Sequence, residues 1–178
     1  MLMATLTIAT ATKDDLDRYI DLLEELAEWM HGRGIVQWPR GRARNGRDYY
    51  EASIDRHELH LAFVAGEFAG GLRILKRDPV VWPDVIDDDA LYLYTLAVRR
   101  TFSGRGVGRE LLAWAEQQVT AAGRRYLRLD CVPGNAFLRR YYEDGGFIAR
   151  GEIDAVYPGL AEVMPLRRYE KAVEPSWR

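Results

Sequence analysis

The stretch TLTIAT (5–10) alternates apolar and polar residues, the period of a strand with one buried face. Thr12, followed three residues later by Asp15, gives a capping-box-like helix start. Leu16, Tyr19, Leu23, Leu26, Ala27 and Met30 then recur at helical spacing, which predicts a helix with one buried face. Glycines and a proline break the pattern over 31–47, HGRGIVQWPRGRARNGR, ahead of a short helix expected at 47–56. HLAFVAGEFAGGLRIL (60–75) reads as an antiparallel hairpin around an Ala-Gly-Glu turn. A loop with two prolines (76–89) precedes ALYLYTLAV (90–98), a strand so apolar that both faces are expected to be covered. A helix over about 107–122 follows, with Val107, Leu111, Ala115, Val119 and Ala122 as its apolar stripe. RYLRLDC (125–131) is a further strand. NAFLRRYYEDGG (135–146) is a short helix whose glycines suit a left-handed C-cap. FIARGEI (147–153) and AEVMPLRRY (161–169) close with two strands, and VEPSWR reads as a tail.

The order β-α-α-β-β-β-α-β-α-β-β predicts an α/β fold with a mixed sheet. Its central strand–helix–strand unit is expected to be a right-handed parallel crossover between antiparallel flanks. The 178 residues fit one domain, taken as 1–170 with a tail at 171–178. A chain of this length buries roughly 70% of its unfolded surface, so its core needs no staples. Apolar residues at 48%, charged residues at 29% and a net charge of −2 fit a soluble protein and argue against wholesale binding to nucleic acid or acidic membranes. Cys131 is the only cysteine, which rules out an intrachain disulfide and suits a reducing cytosol. The start MLMATLTIATATKDD lacks the basic region and apolar core of a secretory signal, and no apolar run approaches the ~20 residues of a membrane span. These features lead to the expectation of a cytoplasmic protein with no membrane or nucleic-acid partner.

Chemistry concentrates in RRTFSGRGVGRELLAWAE (99–116), where Gly104, Gly106 and Gly108 stand among arginines at the mouth of a helix. A helix N-terminus carries unsatisfied N–H groups and a positive dipole end, and glycine lets the backbone approach a ligand. Arg105 and Arg109 add guanidiniums able to grip phosphate. The loop is therefore expected to bind a pyrophosphate. A dinucleotide site of the G-x-G-x-x-G type fits poorly, because Arg109 stands where the third glycine belongs, although Asp130 could play its acidic partner. A Walker A string is absent.

TLAVRRTFSGRGVGRELL resembles motif A of the GNAT N-acetyltransferase superfamily, a strand ending in L-A-V before [QR]-x-x-G-x-[GA] at a helix start. Gly106 and Gly108 match its small residues, while Ser103 stands at the Gln/Arg position. NAFLRRYYEDGGF is similar to the family's later motif through Asn135, Tyr142, Gly146 and Phe147. The resemblance implies a GNAT-like fold, a central mixed sheet of about 6–7 strands flanked by helices on both faces, and acetyl-CoA as cofactor. It implies that the stretch Leu96, Ala97 and Val98 holds the pantetheine arm and polarises the thioester. It also implies that Ser103, Gly104, Arg105, Gly106, Val107, Gly108 and Arg109 hold the pyrophosphate. Asn135 would contact the pantetheine, and Tyr142 would face the thiol as the catalytic residue.

Asn135 and Tyr142 are seven residues apart, almost two helical turns, so both lie on one helix face. A phenol giving its proton outright to a thiolate is uphill by roughly 2 kcal/mol at reference pKa values, so stabilising the thiolate by a hydrogen bond is the simpler role. The strand 90–98 offers Tyr92 and Tyr94 where many relatives have a carboxylate, so the general base stays open, and these tyrosines are expected to line the acceptor pocket. Asp87, Asp88 and Asp89 are either an attraction for a cationic amine or a solvated charge run. Trp29, Gln37 and Trp38, with His31 nearby, suggest a pocket wall in the glycine-hinged segment. The arginines of 33–47 would receive an acidic group or are simply solvated. His57 and His60 lack the spacing of a zinc site, so no metal is expected. Cys131 reads as a small buried hydrophobe rather than an acyl carrier. The resulting reading is acetyl transfer to a primary amine, small-molecule or peptide, by direct attack through a tetrahedral intermediate. The alternative is a non-catalytic acyl-CoA sensor of the same fold. A homodimer would accord with the family, in which dimers are frequent.

Overall fold

The computed structural model describes residues 6–157 and 162–174; Thr5, Ala161 and residues 175–178 of the expected strands and tail lie outside them. The alternation at the start forms β1 (Leu6–Thr10). The Thr12 N–H then donates to the Asp15 carboxylate at 2.9 Å, so the capping signal acts as read. A short 3-10 turn leads into α1 (Leu16–His31), where all six residues of the expected face are buried. The chain continues through α2 (Arg42–Asn45), α3 (Arg47–Asp55), β2 (Leu59–Val64), β3 (Glu67–Leu75) and β4 (Ala90–Val98). It ends with α4 (Val107–Ala121), β5 (Tyr126–Cys131), α5 (Ala136–Asp144), β6 (Ile148–Val156) and β7 (Val163–Ala172).

The strands pair in the order β1-β2-β3-β4-β5-β7-β6, a seven-stranded mixed sheet flanked by helices. β4 and β5 are parallel, while β1–β2, β2–β3, β5–β7 and β6–β7 are antiparallel. Three details differ from the sequence reading. The turn α2 adds a helix in the 31–47 segment. Ala122 lies exposed beyond the end of α4. β7 also runs to Ala172, opposite Tyr126, beyond the expected strand end at residue 169.

Two compact units share these elements. The first holds the described residues up to Ile74 together with Thr95–Trp114. Here α1 lays Leu16, Tyr19, Leu23 and Leu26 against Leu59 and Leu61 of β2, with Tyr50, Ile54 and Ala97 completing the core. Ala65 and Gly66 both adopt left-handed φ (51° and 81°), the tight hairpin turn whose twist suits the flanking strands. A Cβ on Gly70 would stand 2.2 Å from the Ala97 carbonyl oxygen, so only glycine allows β3 to approach β4 this closely. Thr95 has φ 46°, rare for a β-branched residue, and its carbonyl accepts from the Tyr19 hydroxyl at 2.7 Å. This break interrupts the regular alternation of side chains along β4.

The second unit holds Leu75–Tyr94 and the described residues from Ala115 onward. Its core gathers Val81, Trp82, Ala90, Tyr92, Ala155 and Leu166. Arg128, only 5% exposed, donates to Glu170 (2.8 Å), to Asp87 (3.1 Å) and to the Tyr92 hydroxyl (2.9 Å). A buried guanidinium is tolerable because it is paired and hydrogen-bonded, and this one ties the loop before β4 to β5 and β7.

Candidate active site

β4 leads through a 3-10 turn (Arg100–Phe102) to Ser103, Gly104 and Gly106, the two glycines at φ 75° and 85°. Nothing within 4 Å would meet a Cβ at either position, so backbone conformation, not crowding, calls for glycine. The Gly106 carbonyl accepts from the N–H groups of Arg109 (3.0 Å) and Glu110 (3.1 Å), which starts α4. Among the described residues, no acceptor meets the N–H groups of Gly104, Gly106, Val107 and Gly108. Open donors beside the positive end of a 15-residue helix form a fitting cradle for phosphate oxygens.

The guanidinium next to Ser103 belongs to Arg100, not to Arg105 or Arg109. Arg100 donates to the Ser103 hydroxyl at 3.2 Å and lies 3.9 Å from the centre of the Trp29 ring. Arg33 sits 4.4 Å from the same ring. Arg105 instead packs on Phe102 at 4.9 Å, while Arg109 is exposed. Leu96 and Val98 are half-buried, and Ala97 belongs to the first unit's core.

In the second unit Asn135 caps α5, its Oδ1 accepting from the Leu138 N–H at 3.1 Å. Tyr142 is 7% exposed and packs edge-on against Tyr141 and Phe147, with Tyr169 at 6.0 Å. Its hydroxyl has no hydrogen-bond partner among the described residues. Burial first, then Cys131 and Asp130, push this phenol well above its ordinary range, so it stays protonated. Cys131 is fully buried, and burial with the Asp130 charge pushes its thiol up to about 12, which leaves it a poor nucleophile.

Several candidate acceptor-side groups are engaged in the framework. Arg40 and Arg44 pair with Glu28 and Asp21 of α1, Arg47 pairs with Asp17, and Glu24 accepts the N–H groups of Gly41 and Arg44. The basic segment is thus largely matched by the acidic face of α1. Asp87, Asp88 and Asp89 pair with Arg128, Arg77 and Arg125. Tyr92 gives its hydroxyl to Arg128 and its ring to Trp82, a framework position. Trp29 and Trp38 are half-buried against the first core, Gln37 is half-buried, and His31 is exposed. A groove of about 410 Å³ lined by Arg18, Leu22, Phe63, Phe68 and Arg99 contains none of the expected site residues.

Tyr94 is different. Its hydroxyl donates to Asp78 Oδ2 at 2.6 Å, and Asp78 Oδ1 accepts the N–H groups of Val80 (3.1 Å) and Val81 (3.0 Å). Asp78 is 5% exposed, and burial raises its carboxyl above the usual range despite these donors. Tyr94 is expected from sequence as an acceptor-pocket residue, but nothing local pairs it with Asp78, and Arg100 likewise carries no local mark of its partners.

Comparison with known proteins bears on this arrangement. The model of the Acetyltransferase (GNAT) family matches residues 21–147. The chain is 30% identical over 143 residues to the uncharacterised N-acetyltransferase YesJ of Bacillus subtilis, covering 77% of this chain and 78% of that one. Among solved structures it is similar to a GNAT-family acetyltransferase of Listeria monocytogenes, with TM-score 0.76, 26% identity and 94% of each chain covered. It also shares its fold with yncA of Salmonella typhimurium, solved with its cofactor acetyl-CoA, at TM-score 0.66 and 17% identity over 96% of this chain and 95% of that one.

Proposed function

The chain belongs to the GNAT acetyltransferase family, and we propose that it transfers the acetyl group of acetyl-CoA to a primary amine by direct attack. The observation that carries this reading is the row of open N–H groups at Gly104, Gly106, Val107 and Gly108, held by left-handed glycines at the start of α4. These donors suit the cofactor's pyrophosphate, and Arg100 adds charge beside Ser103 where the family pattern has Gln or Arg. The presence of acetyl-CoA on yncA supports the choice of cofactor. Bound there, acetyl-CoA supplies an activated acetyl thioester.

The chain's residues then have three tasks. The backbone of Leu96 and Val98 would hold the pantetheine arm and polarise the carbonyl, by resemblance to the family. Asn135, which caps α5, would contact the same arm, by resemblance to the family. Tyr142 would donate a hydrogen bond to the sulfur as it departs. Its phenol, raised further above a thiol's range by burial, stabilises thiolate by hydrogen bonding more readily than it gives up its proton.

Thermal shift with acetyl-CoA followed by thiol release over a panel of amines tests this reading. Stabilisation with thiol release on at least one amine is the expected result. Stabilisation with release on none would favour a sensor of acyl-CoA, and no stabilisation by CoA would remove the reading.

A further inference from the structure

We propose that the acceptor arrives as an alkylammonium ion and that the Tyr94–Asp78 pair removes its proton. The proposal rests on the acetyl-transfer reading and gives it both a substrate class and a base.

The second unit is rich in carboxylates, but most are matched by cations. Asp84 pairs with Arg168, Asp87 with Arg128, Asp88 with Arg77 and Asp89 with Arg125. Glu116 pairs with Lys171, and Glu170 with both Arg128 and Arg150. Asp78 stands apart. It is buried, its three donors are two backbone N–H groups and one phenol, and no Lys or Arg pairs with it among the described residues. A buried carboxylate whose charge is met by neutral donors alone leaves room for a cation.

Tyr94 stands two residues before Leu96 and directly before the left-handed Thr95, where β4 departs from regular strand geometry. The charged and titratable groups that act on its phenol come from three elements. These are Asp78 in the loop before β4, Asp130 on β5 and Tyr157 just after β6. The Tyr92 hydroxyl is occupied, accepting from Arg128. Val80, Tyr94, Tyr157 and Met164 are partly buried residues packed against the second unit's core.

The proton balance is simple. The ammonium N–H bond breaks and its proton goes to Tyr94 Oη while the original phenolic proton passes along the 2.6 Å hydrogen bond to Asp78 Oδ2. Tyr94 ends as a phenol and Asp78 as a neutral acid. The freed amine lone pair would form the C–N bond to the acetyl carbon while the carbonyl π pair moves to oxygen; re-forming the carbonyl then breaks the C–S bond, and sulfur leaves with the bonding pair. The surplus proton on the new amide nitrogen neutralises the thiolate, and Asp78 returns its proton to solvent. Tyr94 touches the amine; Asp78 acts through it as a positioning and proton-accepting residue.

Two acceptors separate this role from a structural one: 1,4-diaminobutane, an ammonium at neutral pH, and 4-methoxyaniline, already neutral there. Tyr94→Phe and Asp78→Asn are each expected to lower kcat/KM for 1,4-diaminobutane at pH 7 by about 100-fold. The loss should shrink as pH rises and free amine accumulates, while turnover of 4-methoxyaniline changes less than about 3-fold. Independently of turnover, 1,4-diaminobutane should stabilise the wild-type protein in thermal shift and should not stabilise Asp78→Asn. Equal losses for both amines, or losses that do not change with pH, would overturn the proposal, as would wild-type turnover of the arylamine alone. If Asp78→Asn does not fold, Tyr94→Phe carries the same comparison. If acetyl-CoA stabilises the wild type but no amine of a wide panel releases thiol, the acetyl-transfer reading itself fails and takes this one with it.

Discussion

Arg100 donates through Nη1 to the hydroxyl of Ser103 at 3.2 Å. The contact places a guanidinium beside the one position at which the phosphate loop departs from the family pattern, and stacking on Trp29 at 3.9 Å holds it there. Ser103 therefore anchors a cation as well as offering a hydroxyl. Replacing Arg100 with Ala should raise the KM and the Kd for acetyl-CoA about 10-fold, the scale of one lost charged hydrogen bond, with kcat little changed. Ser103→Ala should cost less, because Trp29 still holds the guanidinium. The Arg100 contribution should weaken as salt is added. Titration calorimetry at two ionic strengths checks all three expectations.

Two glycines of the first unit should both lose stability on replacement by Ala, but to different extents and for different reasons. At Gly106 the added Cβ meets open space but must adopt φ 85°, a strain of about 1–2 kcal/mol. For a chain of this size that is a fall in Tm of a few degrees, accompanied by weaker CoA binding. At Gly70 the Cβ would overlap the Ala97 carbonyl oxygen at 2.2 Å, and backbone offers no easy retreat. Gly70→Ala should cost about 3 kcal/mol or more, a drop near 10 °C. A pair of melting curves distinguishes strain from collision.

What the sequence makes legible here is whatever repeats along the chain. The face of α1 and the hairpin turn at Ala65-Gly66 follow from spacing and turn chemistry alone. So does the strand–loop–helix that offers its N–H groups at Gly104 to Gly108. The kink at Thr95 has no such mark, since one residue with left-handed φ leaves the composition of β4 unchanged. Arg100 and Asp78 were equally silent, because Trp29 and Tyr94 reach them only through tertiary folding. The arginines of 33–47 show the reverse error of emphasis: a basic run in sequence becomes a set of ion pairs once α1 lies beside it.

His60 makes the protein sensitive to mild acid. Its ring packs at a tilt of 58° against Trp114, with centres 4.8 Å apart, and burial, with His57 adding a smaller effect, lowers its pKa to about 4. The unfolded chain titrates this imidazole near 6.5, so between pH 6.5 and 4 the unfolded state binds a proton that the folded state refuses. Stability is therefore full above the unfolded value and is lost as pH falls through that window. Asp84 and Asp87, whose carboxyls are lowered by Arg168 and Arg128, lose their contributions only below about 3.9, outside it. The drop in Tm from pH 7 to pH 5 should be clear in the wild type and smaller in His60→Gln.

Tyr142→Phe tests the leaving-group step without disturbing the fold. The hydroxyl has no partner among the described residues, so its removal leaves no donor or acceptor stranded. The ring contacts with Tyr141, Phe147 and Tyr169 remain available to Phe. Stability should be unchanged or slightly higher. If the phenol meets the departing sulfur, kcat should fall about 100-fold while the KM for acetyl-CoA moves little. Because burial holds the phenol protonated well beyond neutral pH, this defect should be the same at pH 6 and pH 9. That flat profile separates Tyr142 from the Tyr94–Asp78 pair, whose loss is relieved as the amine deprotonates. A lowered Tm with an unchanged kcat would return Tyr142 to the core as a packing residue.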